Sequence, residues 1–501
     1  MLNKKEYSLA KIEDISEVYK NYSSCDIRIR QIKLSSGSCV KSKIYSFKER
    51  LKKYKFVAYF KSTSVGQFLI RTFIRILHLS EDLFLKKKVI YDLKNISKFC
   101  SNNSMEILFQ SEKFYPTQLK TINNINDETS RFYKHQQVPA NMHQTPEVYY
   151  AKITNVTAIG GSNFLLKNNV CLVHDQFKSN TDTTSEELHD FHRINRKEKK
   201  IAIKYPSAFF SLDKAAVFTD ACSSNYAHWM TEVLPRIILF LDYNKNTDID
   251  LVLDSNLHIN MYKSLFSCLN KNQNIYLIDK NIHLNIKELH YISATSYVPF
   301  DFVKPFFSIE DKTGLEGRYN IKALIYTRDM LLKNNNNLRI EKMKEVAENT
   351  RHTLKKDNIE GVINILDALP CSRLYIERIL TNKIVVNKYE LDLLMSKYNF
   401  SKFDTAKATF SDQVTAFSNV DIVISNSSAT LVNMMFMKPG SKLYILMANS
   451  EHVSYYYWQN QGDIFNIDIK FVLGSTYGKR DSGHPNFILS ILDLEKELKK
   501  L

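Results

Sequence analysis

The sequence predicts an α/β protein with two Rossmann-like domains facing one cleft, preceded by a basic, mostly helical module. Three observations carry this. Short runs rich in β-branched and aromatic residues alternate with helix-like stretches. The alternation occurs twice, in two successive stretches of chain. Positive charge is concentrated at the front: residues 1–140 hold 26 Lys and Arg against 13 Asp and Glu, so +13 of the formal +16 lies there.

At 501 residues the chain exceeds one ordinary core. Its 44% hydrophobic and 12% aromatic content, with only 12 Gly and 10 Pro, fits a globular protein and excludes fibrous or low-complexity classes. The seven cysteines fall in no C-x-x-C or metal-ligand spacing, so reduced thiols are expected. MLNKKEYSLAKIED lacks an apolar signal core, and no run of about 18 apolar residues occurs. A cytoplasmic protein is the resulting expectation.

In the first 140 residues, FLIRTFIRILHLSEDLF (68–84) spaces its apolar residues as a helix interrupted by Arg71 and Arg75. It is read as packed on its own domain. The alternative is a helix on an anionic bilayer, peripheral to the inner face of the plasma membrane. A polar linker is expected over 121–146, with Pro139 and Pro146 as breakers. The first α/β domain spans 141–315: strands over 148–161, 163–175 and 215–220, the segment SSNYAHWMTEVLPRIILFLDY, a strand at 251–254, a helix near 261–269 and a strand at 275–279.

The second domain spans 316–485. Its elements are a strand over 319–327, a helix over 338–354, a strand at 373–377, helices at 387–398 and 410–420, a strand at 421–426, a helix at 428–437 and a closing strand within 439–448. A C-terminal helix follows over 486–501. Right-handed crossovers make such a pattern Rossmann-like, and open α/β sheets bind ligands at the carboxyl ends of their strands. The site is therefore expected between the domains.

Two stretches carry more specific information. Asn225-Tyr226-Ala227-His228-Trp229-Met230-Thr231-Glu232-Val233-Leu234-Pro235-Arg236 resembles the N-x-x-H-W-x-x-E-x-L-P-R signature of glycosyltransferase family 61. Further on, Tyr375-Ile376-Glu377-Arg378, Asn387, Asp412-Gln413 and the block Ala429, Leu431, Asn433, Phe436, Pro439-Gly440-Ser441 resemble the same family's C-terminal half. The resemblance covers roughly 145–475. It implies a GT-B fold and inverting, metal-independent transfer from a nucleotide sugar, expected to be UDP-linked, with no cofactor. It also implies a glycan or lipid-linked acceptor in bacterial capsule or lipopolysaccharide assembly. Where the family has H-G-A-G, Ser427, Ser428, Ala429 and Thr430 stand here, so the His is lost and both glycines carry side chains, and Lys383 stands where the family has an Arg.

The resemblance assigns catalysis to His228 and Glu232. It gives the donor to Arg378, Lys383, Asn387, Gln413, Ser427, Ser428 and Asn433, and the acceptor to Asn225, Trp229 and Arg236, with no metal. The residues themselves fit this chemistry. Transfer to a hydroxyl needs a base and a means of stabilising the departing diphosphate. His228 and Glu232 are four apart and share a face if helical, with Arg236 a turn on and Pro235 ending or kinking the helix. Arg378, Lys383 and a helix opening at Ser427 with that residue as N-cap offer positive charge and N–H groups to a phosphate.

The plainer alternative makes His228 and Trp229 packing residues and pairs Glu232 with Arg236. Asp248-Ile249-Asp250 spells D-x-D but reads as a polar turn, and neither a P-loop nor a G-x-G-x-x-G motif is present. The rival function is a catalytically degenerate scaffold in a polysaccharide assembly complex. Nucleic acid binding is not expected, because the basic region contains no recognisable module for it.

Overall fold

The computed structural model describes residues 27–32, 89–100, 105–123, 132–133, 136, 142–177, 182–183, 192–195, 197–203, 208–245, 248–269, 272–298, 300–301, 317–353, 372–376, 383–449, 455–477 and 485–501. Two sheets dominate these residues. One has twelve strands and the other six.

The larger sheet has a parallel half. Ile27–Ile32, Gln273–Ile278, Asp250–Asp254, Ala208–Val217 and Ile282–Ile292 lie in that order, each parallel to its neighbours. The helices Leu234–Tyr243 and Ile259–Phe266 connect its strands. Beyond Ile282–Ile292 the sheet turns antiparallel through Val148–Ile159 and continues to the Leu165–Lys167 and Val170–Val173 hairpin. Strands buried on both faces need near-continuous apolar sequence. The run Leu251, Val252 and Leu253, each 0% exposed, is of this kind.

The smaller sheet orders Ser401–Phe403, Arg373–Ile376, Ile422–Asn426, Lys442–Ala448 and Asp468–Tyr477 in parallel, with Asn486–Ile488 antiparallel at its edge. This is the repeated parallel α/β pattern that the sequence predicts.

Three expectations are corrected. The described part of residues 1–140 is mainly strand, not helix: Ile27–Ile32 pairs with Gln273–Ile278, Val89–Asn95 with Val170–Val173, and Met105–Phe109 with Val148–Ile159. The first-region strands extend the larger sheet, and their β-branched residues fit the ladder better than the lysines between them suggest. The stretch 68–84 lies outside the described residues.

The second correction concerns 319–327, expected as a strand, which opens the helix Ile321–Thr353. Asn320 accepts from Ala323 N at 2.9 Å, and Ala323, Leu324, Thr327 and Leu331 are buried on one face at helical spacing. Third, the helix expected at 428–437 is a 3-10 helix, Ala429–Phe436, with Ser428 rather than Ser427 as N-cap.

The two sheets are joined by buried polar bonds. Tyr226 OH donates to Asn433 Oδ1 at 2.9 Å, and Asn433 Nδ2 donates to Gln413 Oε1 at 2.8 Å. Gln413 Nε2 donates to the Thr405 and Ala408 carbonyls, and Ala408 O also accepts from Asn260 Nδ2 at 3.0 Å. Each member of this chain has a partner, as groups buried this deeply require.

Candidate active site

His228 ends a short helix, Tyr226–His228, whose N-cap Asn225 accepts from Ala227 N at 3.0 Å. A π turn follows over Trp229–Val233, then the helix Leu234–Tyr243 with Pro235 in its first turn. Pro235 therefore opens a helix instead of ending one, because a first-turn N–H has no intrahelical partner to lose.

The Thr231 carbonyl, within the π turn, accepts from Thr295 Oγ1 at 3.0 Å and Ser296 Oγ at 2.8 Å. The segment after Ile282–Ile292 is thereby drawn against the π turn. Turns of this type frequently occur at functional sites.

His228 Nδ1 and Glu232 Oε1 lie 2.8 Å apart. Both side chains are largely buried, with 15% and 17% exposure, and both line a cavity with Asp220, Asn163, His174 and Tyr297. Burial pulls the His228 imidazole down, but the charge and hydrogen bond of Glu232, with Asp220 behind, outweigh it and hold the group above its usual value. Burial pushes the Glu232 carboxyl up against the opposing pull of His228. With Nδ1 engaged by the carboxylate, Nε2 is the nitrogen left to exchange a proton with a ligand.

The segment leading to Asn163 passes a close backbone crossing at a glycine. A Cβ at Gly160 would meet Asp279 O at 2.1 Å, so only glycine admits this crossing. Gly161 N then donates to Asp254 Oδ1 at 2.7 Å, and Thr219 Oγ1 to Ser162 O at 2.7 Å. These bonds bring Asn163 to Asp220, whose Oδ2 accepts from Asn163 Nδ2 at 2.9 Å. Asp254, 2% exposed, also accepts from Asp220 N, and burial pushes its carboxyl up to about 7. Asp220 and Asp254 sit at the carboxyl ends of adjacent parallel strands, where ligands of such sheets bind.

The smaller sheet reaches this site through an aromatic pair. The ring of Tyr457 lies 6.4 Å from that of His228 and 4.6 Å from that of Trp458, whose Nε1 donates to Ser427 Oγ at 3.2 Å. Lys383 Nζ is 3.5 Å from Ser427 O, and Asn426 Nδ2 donates to Lys383 O. Thus Lys383, Ser427 and Ser428 come together on the side facing His228.

Other expected site residues have different surroundings. Asn387 pairs both its amide atoms with the Leu489 backbone at 3.0 Å, and Gln413 and Asn433 belong to the buried chain joining the sheets. Arg236 lines the cavity but donates to the Ile292 and Val217 carbonyls at 3.0 and 3.3 Å and stacks its guanidinium near Phe218 and Tyr291. Trp229, expected at the acceptor, lies in the core instead of on the cavity wall. It is 0% exposed, and its Nε1 donates to Ser264 Oγ at 2.9 Å. Asn225 is exposed and serves as the N-cap.

Arg378 lies outside the described residues. Asp250, half of the D-x-D spelling, starts a strand and accepts from Asn274 at 2.8 Å. Among the described residues no three His, Cys, Asp or Glu side chains converge on a common metal position.

Sequence reasoning missed Asn163, His174, Asp220, Tyr297, Tyr457 and Trp458. A signal existed for two of them: Asp220 ends the strand-like run AAVFTD, and Gly160-Gly161 just before Asn163 marks a close backbone approach.

Residues 226–444 match the family model described as Glycosyltransferase 61. Over this segment the chain is similar to that family. The resemblance carried by the two motifs is thereby shown, and the family supports a glycosyltransferase. The match opens at Tyr226 and ends at Tyr444, so Asn163, Asp220 and Tyr457 lie outside it. No curated protein matches the chain. Among the described residues, no helix is long and apolar enough to cross a membrane.

Proposed function

We propose that the chain is an inverting, metal-independent glycosyltransferase of GT-B architecture that moves a sugar from a nucleotide donor, UDP-linked, to a hydroxyl of a growing bacterial surface glycan. The observation that carries this reading is the His228–Glu232 contact of 2.8 Å at a cavity beside the larger sheet, within the segment that matches the family-61 model. His228 Nε2 accepts the proton of the acceptor hydroxyl as its oxygen attacks the anomeric carbon. The bond from that carbon to the diphosphate breaks, and the nucleoside diphosphate leaves with the electron pair. Glu232 fixes the imidazole through Nδ1 and stabilises the cation formed.

On the other side, Lys383 with Ser427 and Ser428 would hold the diphosphate, helped by Arg378. The basic residues of 1–140 would keep the protein peripheral to an anionic membrane surface where lipid-linked acceptors lie. No cofactor enters the reaction. Turnover of a panel of nucleotide sugars against oligosaccharide acceptors tests the reading, and release of nucleoside diphosphate should persist in excess EDTA. Abolition by chelator and rescue by Mn²⁺ would replace the cationic side chains by a metal.

The pH profile should carry the signature of the pair. His228 is held above its usual value, so its base form grows only on the alkaline side of about 6.5, and the rate should rise through that region. In Glu232→Gln the raising charge is gone while burial remains, so the acidic limb of kcat/KM should move to lower pH as the rate falls. An unmoved limb would show that another group titrates.

A further inference from the structure

Asp220 is 6% exposed, lines the cavity, and has no ion-pair partner among the described residues. Its oxygens each accept one bond, Oδ1 from Cys222 N at 2.8 Å and Oδ2 from Asn163 Nδ2 at 2.9 Å. A carboxylate can accept about four. Holding such a group out of water without a cation is costly, and the cost is recovered when a ligand brings donors to the remaining lone pairs.

The neighbouring wall is aromatic. Tyr297 and His174 pack with ring centroids 4.7 Å apart, and both line the same cavity. The carbonyl of Thr231 holds Ser296, next to Tyr297, in place. A few fixed acceptors beside an apolar ring suit a polyol with one non-polar face. A sugar ring has this character: its hydroxyls donate, and its C–H face packs on an aromatic ring. A phosphate does not, because Asp220 repels it and, among the described residues, no lysine or arginine other than the carbonyl-bound Arg236 lines the cavity.

We propose that Asp220 and Asn163, with Tyr297 as platform, form the acceptor-sugar subsite, in which the carboxylate receives hydroxyls of the acceptor's terminal monosaccharide and aims one of them at His228. This assignment rests on the transferase reading for its role, though not for its ligand class.

Saturation-transfer NMR on the full chain, with methyl glycosides of glucose, galactose, mannose, xylose and N-acetylglucosamine, tests it. At least one glycoside should bind the wild type. Asp220→Asn, which keeps shape and an acceptor for Cys222 N, and Tyr297→Ala should each weaken it by about tenfold or more. UDP affinity by calorimetry should stay close to wild type in both variants, and the melting temperature in Asp220→Asn, which separates a subsite from a fold requirement. No glycoside bound, or equal affinity in both variants, would overturn the subsite. A glycoside lost in Asp220→Asn but glycosylated by no nucleotide sugar would refute the transferase reading alone. Transfer at unchanged acceptor KM in Asp220→Asn would refute the subsite alone.

Discussion

His228→Ala should lower kcat by about 10² to 10⁴, the usual worth of a positioned general base, while nucleoside diphosphate affinity stays nearly intact. The geometry separates the two quantities. His228 contacts Glu232 and lines the cavity of the larger sheet, whereas Lys383 and Ser427 lie beyond Tyr457 and Trp458. Steady-state kinetics with one nucleotide sugar, together with calorimetry on the product nucleotide, gives both numbers. Glu232→Gln should cost less, since the amide preserves the contact and removes only the charge. A His228→Ala enzyme with near-normal kcat beside an inactive Glu232→Gln would reverse the assignment and make the carboxylate the base.

The parallel cores of both sheets were legible because their strands are continuous apolar runs bounded by polar turns, as at Leu251–Leu253 and in DIVISN. The first region was misread for a physical reason. Ile27, Ile29 and Tyr91 are diluted by arginine, lysine and aspartate, the pattern of strands with an exposed face, and overall charge hides such alternation. The helix from Ile321 was misread because ALIY has high β-propensity in isolation; the cap at Asn320 and the spacing of Ala323, Thr327 and Leu331 overrode it.

At the site, the i, i+4 pair was legible from spacing alone, since His228 and Glu232 are near in any helical turn. What could not be read was which side chains would be spent. Arg236, Asn387 and Gln413 look like ligand groups in the sequence, yet each gives its donors to carbonyls, those of Arg236 and Asn387 brought close by distant chain segments and those of Gln413 by the loop before its own helix. The reverse holds for Asp220 and Tyr297, whose partners Asn163 and His174 come from remote parts of the chain and whose types alone signal nothing.

Trp229 shows the same division between binding and support most sharply, and Trp229→Ala should cost about 3 to 5 kcal/mol of stability, the range for removing a fully buried aromatic. The indole is among the largest side chains with no exposure, and it packs in the cluster that includes Ile237, Leu251, Tyr262 and Leu265. Its truncation leaves a cavity next to the π turn and strips Ser264 Oγ of the indole N–H, although that hydroxyl keeps the Met261 carbonyl as an acceptor. Trp229→Phe should lose less, because the ring volume is largely kept and only the hydrogen bond goes. Chemical denaturation of both variants measures these losses, and activity should fall only in step with the folded fraction or with displacement of His228 one residue away. A stable Trp229→Ala protein with a raised acceptor KM would instead return the indole to the binding surface.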